Sequence, residues 1–200
     1  MKNEIRTHIS KGNKKVGRIP NFSLTPGVSC SAEACRTCLK EGCYACKSYR
    51  QYPNVRKAWD ENTTMSVDFL NYLILEISDW LTKHKPKYFR IHVGGDFITH
   101  EYAEAWAYIA SKHPETRFLA FTKQWDNIRG ASFPDNVSIV LSAWKGCDIP
   151  EDLKQQYAVA YVSDCDDVPE NAIPCGGNCE TCHACWGLAK RGLDVVFDKH

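Results

Sequence analysis

Hydrophobic residues in the middle of the chain recur at two spacings, one typical of helices and one typical of strands. A stripe at helical spacing can begin with a cap at Thr63 or Thr64 and must end before Pro86. Its apolar members are Val67, Leu70, Leu73, Ile74, Ile77, Trp80 and Leu81. A second stripe begins after Thr99, ends at Pro114 and contains Tyr102, Ala105, Trp106 and Ile109. The pattern predicts two amphipathic helices.

Short runs rich in β-branched and aromatic residues alternate with these helices. They occupy residues 88–93, 117–122, 137–142 and 158–162, and a shorter run at 195–197 can close the chain. Regular alternation of strands and helices favours an α/β fold with a mostly parallel sheet and covering helices, similar to a partial barrel. The carboxyl ends of parallel strands meet at one edge of the sheet, where cofactors collect.

Composition indicates one well-packed domain, because 44% of the 200 residues are hydrophobic and 12% are aromatic. We predict a basic arm at residues 1–18 followed by a single α/β domain at residues 19–200. The arm carries Lys2, Arg6, Lys11, Lys14, Lys15 and Arg18 against the single acid Glu4. The net charge of +1 gives no electrostatic case for nucleic acid as a partner, so we interpret the arm as solvated.

The first ten residues are polar and charged, unlike the apolar core of a signal peptide. The longest apolar stretch, residues 69–77, is interrupted by Asn71 and Glu76 and is far shorter than the ~20 residues that span a bilayer. The sequence therefore predicts a cytoplasmic protein without a membrane partner.

Nine of the eleven cysteines form two groups, at residues 30–46 and 175–185, and residues 47–146 contain none. Disulfides are rare in reducing compartments, so clustered cysteines indicate metal ligands or catalytic thiols. A disulfide framework is the alternative if the compartment is oxidising. We interpret the two remaining residues, Cys147 and Cys165, as small buried side chains.

The carboxyl-terminal group has the spacing C-x3-C-x2-C-x2-C and consists of Cys175, Cys179, Cys182 and Cys185. Two successive C-x2-C steps let one short loop present three thiolates to a cluster, as in bacterial ferredoxins. A zinc site is the alternative, although zinc ligands usually form two C-x2-4-C pairs separated by a longer loop. The spacing favours an iron–sulfur cluster, of the 4Fe–4S type, over zinc.

The amino-terminal group has one cysteine more than a single site requires. It consists of Cys30, Cys35, Cys38, Cys43 and Cys46. Either the first three or the last three could form a three-thiolate set that leaves one iron open to a substrate. The predicted metal ligands are Cys30, Cys38, Cys43 and Cys46. In a third arrangement the chain ends meet, and Cys43 or Cys30 completes the carboxyl-terminal site.

Two glycines and a carboxylate follow the first strand predicted in the middle of the chain. Glycine permits close approach of a ligand to the backbone, and Asp96 can accept hydrogen bonds from an amine or hydroxyl. Candidate catalytic residues are His92 and Asp96, and candidate cofactor-binding residues are Gly94, Gly95 and Asp96. The simpler interpretation is a tight turn, with His92 in a structural role. Strand alternation places Arg90 and His92 on one side of the sheet.

Four segments together resemble the bacteriophage "gene product 88" domain family. They are Thr25-Pro-Gly-Val-Ser-Cys30, Cys43-Tyr-Ala, residues 89–97 and Cys179-x2-Cys182-x2-Cys185-Trp186. The resemblance spans residues 14–188 and implies a phage or prophage origin.

A looser resemblance is to radical S-adenosylmethionine enzymes. These pair a three-cysteine motif after the first strand with a Gly-Gly-Glu motif that ends the second. The same order is found in Cys38, Cys43 and Cys46, followed by Gly94, Gly95 and Asp96. The cysteine spacing differs, with x4 and x2 in place of x3 and x2, and Asp96 replaces the glutamate. The resemblance implies S-adenosylmethionine as a further cofactor.

Three functions are compatible with these patterns. The first is a redox or radical enzyme that acts on an unidentified small molecule with a cluster at the carboxyl edge of the sheet. The second is an electron-transfer or structural iron–sulfur protein without turnover. The third is a zinc-stabilised module that binds protein or nucleic acid. We favour iron–sulfur binding, which the first two share.

Overall fold

The computed structural model describes residues 5–13, 16–40 and 42–198, with the backbone alone for residues 37–40. Its strands are β1 (Asn21–Phe22), β2 (Tyr88–Ile91), β3 (Arg117–Thr122), β4 (Val137–Ser142), β5 (Ala158–Val162), β6 (Ile173–Pro174) and β7 (Val195–Phe197). Its α-helices are α1 (Ala32–Lys40), α2 (Tyr44–Gln51), α3 (Pro53–Asp68), α4 (Leu70–His84), α5 (His100–Lys112), α6 (Trp125–Ile128), α7 (Glu151–Lys154), α8 (Cys179–Cys182) and α9 (Leu188–Arg191). A 3₁₀ helix occupies Ala184–Gly187.

All strands of this part of the chain form one parallel sheet in the order β1-β2-β3-β4-β5-β7-β6. The first five strands are neighbours in chain order. Right-handed crossovers between such neighbours place the intervening helices on the same face of the sheet. The predicted α/β fold with a mostly parallel sheet is confirmed.

The sheet separates two hydrophobic cores. The larger core contains Phe22, Phe89 and Phe118 from the strands, packed against helix residues such as Ile77 and Trp106. The smaller core lies on the opposite face and includes Leu119, Val140, Ala160, Trp186 and Leu188. The segment from β6 to α9 therefore covers the face that the larger helices leave open.

The first predicted helix is in fact two helices. The chain leaves helical geometry at Phe69, where φ is −135° and ψ is 40°. This break lets Met65 of α3 and the stripe Leu73, Ile77 and Leu81 of α4 both reach the larger core. The prediction of one helix starting at Thr63 or Thr64 was wrong, because a continuous apolar stripe does not reveal a change of helix axis.

The second predicted helix is confirmed as α5. It begins after Thr99, whose Oγ1 accepts a hydrogen bond from the Tyr102 N–H at 3.2 Å. The strands predicted at residues 117–122, 137–142, 158–162 and 195–197 are also confirmed. The sequence pattern missed β1 and β6, because two residues are too few to show alternation.

The described part of the predicted basic arm packs against α3 and α4. The backbone N–H of Thr7 donates to Glu76 at 2.8 Å, and that of His8 donates to Asn62 at 2.7 Å. The imidazole of His8 also contacts the carboxylate of Glu61 at 2.5 Å. In the described ranges, none of the helices combines the length and apolar character needed to cross a membrane.

Candidate thiol sites and the carboxyl end of β2

Gly94 and Gly95 lie where neighbouring side chains approach the end of β2 closely. A Cβ atom on Gly94 would lie 2.7 Å from the ring of Trp59. A Cβ atom on Gly95, where φ is +80°, would lie 2.6 Å from the side chains of both Leu24 and Ser29. The absence of a Cβ atom at these two positions therefore lets side chains of the protein itself pack against the backbone. The role of the glycines in cofactor binding stays a prediction.

The carboxylate of Asp96 is surrounded by donors from the protein itself. Its Oδ1 accepts from the Thr122 hydroxyl at 2.6 Å and from the Phe97 N–H at 2.8 Å. Its Oδ2 accepts from the Lys123 N–H at 2.7 Å. The backbone N–H of Asp96 donates to the Ser29 hydroxyl at 3.0 Å. Asp96 thus joins the loop after β2 to the end of β3 and to the loop after β1.

Burial raises the pKa of Asp96 from 3.8 to about 6, although its hydrogen bonds oppose this change. Between these two values the folded chain holds a proton that the unfolded chain has released. The contribution of Asp96 to the free energy of unfolding therefore falls as pH rises from about 4 to about 6.

We expect this contribution to change by roughly 3 kcal/mol across that range. Urea unfolding of the metal-free wild type and of Asp96→Asn between pH 4 and 7 measures it as the difference between the two curves. Asparagine does not titrate, so the wild type should lose stability relative to the variant as pH rises. A difference that is independent of pH would contradict the assignment.

His92 lies in the larger core and is only 3% exposed. Its Nε2 is 2.9 Å from the hydroxyl of Tyr102, and its ring packs against Phe97. Burial, and secondarily the charge of Arg90, lower its pKa to about 3. The ring is therefore neutral at physiological pH, and its catalytic role stays a prediction.

Arg90 and His92 do not share a face, contrary to the prediction from strand alternation. β2 ends at Ile91, and His92 has a left-handed φ of 58°, which reverses the direction of its side chain. Arg90 instead lies over the ring of Phe121, 4.1 Å from its centroid, on the face of the smaller core.

The four carboxyl-terminal cysteines line one small pocket on that same face. Its walls are formed by Cys175, Asn178, Cys179, Cys182, His183, Ala184, Cys185 and Trp186. The segment is fixed to the sheet because Trp186 Nε1 donates to the Arg117 carbonyl at 3.1 Å and the Ser138 hydroxyl donates to the Cys185 carbonyl at 2.8 Å. His183 stacks on Tyr88 with 4.0 Å between ring centroids. The structure thus brings together all four thiols predicted for this group, and we call them the carboxyl-terminal thiol group.

Electrostatics within this group depend on burial and on Arg90. Burial raises the pKa of Cys185 to about 12, and the other three thiols add to this effect. The guanidinium of Arg90 acts in the opposite direction and lowers it. In the metal-free protein Cys185 is therefore a neutral thiol, and a metal would have to displace its proton.

Arg90 lies beside the carboxyl-terminal thiol group, which the sequence did not indicate. Desolvation lowers its pKa, whereas interactions with Tyr44, Cys179 and Cys185 raise it. No carboxylate pairs with Arg90 among the ion pairs of the described residues. The acidic groups that face this cation are thus thiols and a phenol.

Four amino-terminal cysteines form a second group, which we call the amino-terminal thiol group. Burial raises the pKa of Cys46 to about 12, with further contributions from a hydrogen bond to Cys43 and from the nearby thiols of Cys35 and Cys30. Cys35 was not among the predicted ligands, although it belongs to this group. The thiol of Cys38 lies outside the described residues, so its predicted role stays a prediction.

One residue next to the amino-terminal thiol group also interacts with Arg90, namely Tyr44, which follows Cys43 directly in the chain. Tyr44 is held at the end of β2 by a hydrogen bond from its hydroxyl to the carbonyl of Val93. Within the described side chains, no three His, Cys, Asp or Glu residues are placed so that they could hold a metal ion together.

The chain is a parallel α/β protein with one group of cysteine thiols in the segment after β1 and a second in the segment between β6 and α9. The profile of the family described as "Gene product 88" matches residues 2–174, and the chain belongs to this family. The predicted membership of the gene product 88 family is confirmed, whereas the resemblance to radical S-adenosylmethionine enzymes stays a prediction.

The chain is similar to the Gene 88 proteins of Mycobacterium phage L5 and Mycobacterium phage D29. Each is 31% identical to it over 130 residues, which cover 58% of this chain and 53% or 52% of the phage protein. The chain thus spans about half the length of these curated relatives, and their source supports the predicted bacteriophage origin. No solved structure matches the chain significantly.

Proposed function

We propose that the protein binds an iron–sulfur cluster through Cys175, Cys179, Cys182 and Cys185. The observation that carries this proposal is the half-buried cation of Arg90, which interacts with two of these thiols, donates from Nε to the His92 carbonyl at 2.9 Å and has no carboxylate partner among the described residues. An uncompensated charge in a protein interior is costly. Thiolates held by a cluster would supply the negative charge that neutral thiols do not.

The chemistry of the donor set fits such a cluster. Cysteine thiolates are the usual ligands of iron–sulfur clusters, and these four come from one short segment fixed to the sheet. A tetrahedral zinc ion with Zn–S bonds of about 2.3 Å would require all four sulfur atoms to lie within about 4 Å of one another. Four thiols that line one pocket can also hold the larger cluster, in which each sulfur binds a different iron atom.

The reaction class that this site supports best is electron transfer. A cluster would supply one-electron chemistry, and Arg90 and the covering Trp186 would limit the access of water to it. The amino-terminal thiol group is a candidate for a second cluster, because its described thiols also lie close to one another. The physiological partner would then be an electron donor or acceptor.

A radical enzyme that uses S-adenosylmethionine is the second candidate. It is favoured by one observation, namely that cysteines follow β1 while Gly94, Gly95 and Asp96 follow β2. Against it, the Asp96 carboxylate is already bound by the protein and Trp59 covers Gly94. Anaerobic calorimetry with S-adenosylmethionine separates the two candidates, because an electron-transfer protein should not bind it.

Anaerobic purification followed by assays of iron, acid-labile sulfide and zinc tests the proposal. We expect iron and sulfide in equal amounts, about four of each per occupied thiol group, together with visible charge-transfer absorption. Cys179→Ser should lose at least half of both. The matched control is Cys147→Ser, which removes a half-buried thiol outside both groups and should retain the wild-type content. A colourless protein with stoichiometric zinc would instead establish the zinc-stabilised module.

A further inference from the structure

Cys147 and Cys165 form a pair of thiols that belongs to neither of the two groups. Both are half-buried and pack against the larger core. Each lies in the loop after one of two neighbouring strands, β4 and β5, at the carboxyl edge of the sheet. This is the edge at which α/β proteins place functional groups.

Two equivalent turns bring these cysteines to the same level of the sheet. The N–H of Cys147 donates to the carbonyl of Trp144 at 3.0 Å, and the N–H of Cys165 donates to that of Val162 at 2.9 Å. Ser142 of β4 is paired with Ala160 of β5. Extending this register by two residues sets Trp144 opposite Val162. The backbone of Cys147 is therefore hydrogen-bonded to Trp144, and that of Cys165 to the residue opposite Trp144.

The distance between neighbouring strands agrees with a covalent link between the two turns. Adjacent strands lie about 4.8 Å apart, within the range of roughly 4.4–6.8 Å that Cα atoms of a disulfide occupy. Burial raises the pKa of both thiols, and the proximity of Cys147 raises that of Cys165 further. Both thiols also contribute to the raised pKa of Tyr161. The Cys147 sulfur accepts a hydrogen bond from the Trp144 N–H at 3.2 Å, which fixes its orientation.

We propose that Cys147 and Cys165 are an oxidation site, at which a peroxide converts the two thiols into a reversible disulfide. One thiol attacks the peroxide, takes up one oxygen atom as a sulfenic acid and releases water when the peroxide is hydrogen peroxide. The second thiol then displaces the hydroxyl group, which leaves as a second molecule of water. Two electrons pass from the thiols to the peroxide, and the new S–S bond joins the ends of β4 and β5.

This link would have a defined structural consequence. It would close a loop that includes α7 and β5 and would hold the turn after β4 in place. That turn carries Trp144, which stacks on Trp125 of α6 with 5.2 Å between ring centroids and lies under the ammonium group of Lys123. Oxidation would therefore stiffen the edge of the sheet beside Lys123 and Asp96. This proposal does not depend on whether either thiol group binds metal.

The test uses the full-length wild-type chain treated with hydrogen peroxide, alkylated and digested with trypsin and a glutamate-specific protease. Cleavage after Lys145 and Glu151 isolates Cys147, and cleavage after Lys154 and Glu170 isolates Cys165 from the carboxyl-terminal thiol group. We expect these two peptides to appear as one cross-linked species in the mass spectrum, and dithiothreitol should separate them.

Cys165→Ser is the matched control, because it should leave the Cys147 peptide without this partner. The cross-link itself is recorded in the wild type, so a poorly folded variant does not affect the main result. The proposal would be overturned if, once the other thiols have been oxidised, either cysteine were recovered as an alkylated thiol. A disulfide between either of them and a different cysteine would overturn it as well.

Discussion

Arg90→Gln is expected to weaken metal binding by the carboxyl-terminal thiol group by about 10- to 100-fold, as loss of groups around metal ligands commonly does. The guanidinium lowers the pKa of Cys185 and faces Cys179, so its removal leaves anionic thiolates in a desolvated site without a counter-charge. Arg90→Lys keeps the charge and should lie within a few-fold of the wild type. Competition with an iron chelator under anaerobic conditions measures the affinity.

The same variant should have the opposite effect on the metal-free protein. There Cys185 is a neutral thiol and no carboxylate pairs with Arg90 among the described residues, so glutamine removes the cost of burying part of this charge. Metal-free Arg90→Gln should therefore unfold at the same or a higher denaturant concentration than the wild type. A residue with only a structural role would instead lower the stability of both forms. Unchanged affinity for iron would contradict our assignment of Arg90.

Gly95→Ala is expected to lower the free energy of unfolding by about 2–5 kcal/mol. Part of this loss comes from the left-handed backbone, because φ is +80°. The rest comes from packing, since the new methyl group would lie 2.6 Å from Leu24 and from Ser29. Chemical denaturation of the metal-free protein measures the change.

Gly130→Ala separates these two effects. Gly130 has nearly the same φ, +78°, but nothing lies within 4 Å of the position that a Cβ atom would occupy. It should therefore lose only the backbone part, about 1–2 kcal/mol. Equal losses in both variants would show that packing around Gly95 contributes nothing. Gly95→Ala should also displace Ser29, which directly precedes Cys30 and whose hydroxyl accepts a hydrogen bond from the Asp96 N–H.

Tyr44 and Arg90 show what sequence reasoning could not find. Both are common residue types in unremarkable positions, and their importance comes from contacts with residues that are distant in the chain. The alternation of side chains along β2 did predict part of this arrangement. It places Tyr88 and Arg90 on the face opposite to Phe89 and Ile91, which belong to the larger core. The prediction failed at His92, because the strand ends one residue earlier and the backbone reverses.

Sequence patterns were sufficient to predict the α/β class, four of the strands, helix α5 and the membership of the two cysteine groups. These features follow from local periodicity and from spacing along the chain, which are properties of neighbouring residues. Other features became visible only in the folded chain: the break at Phe69, the separate faces of Arg90 and His92, the matched turns of Cys147 and Cys165, and the donors around Asp96. The break and the two faces depend on backbone angles that the hydrophobic pattern does not encode, and the turns and donors depend on contacts between separate segments.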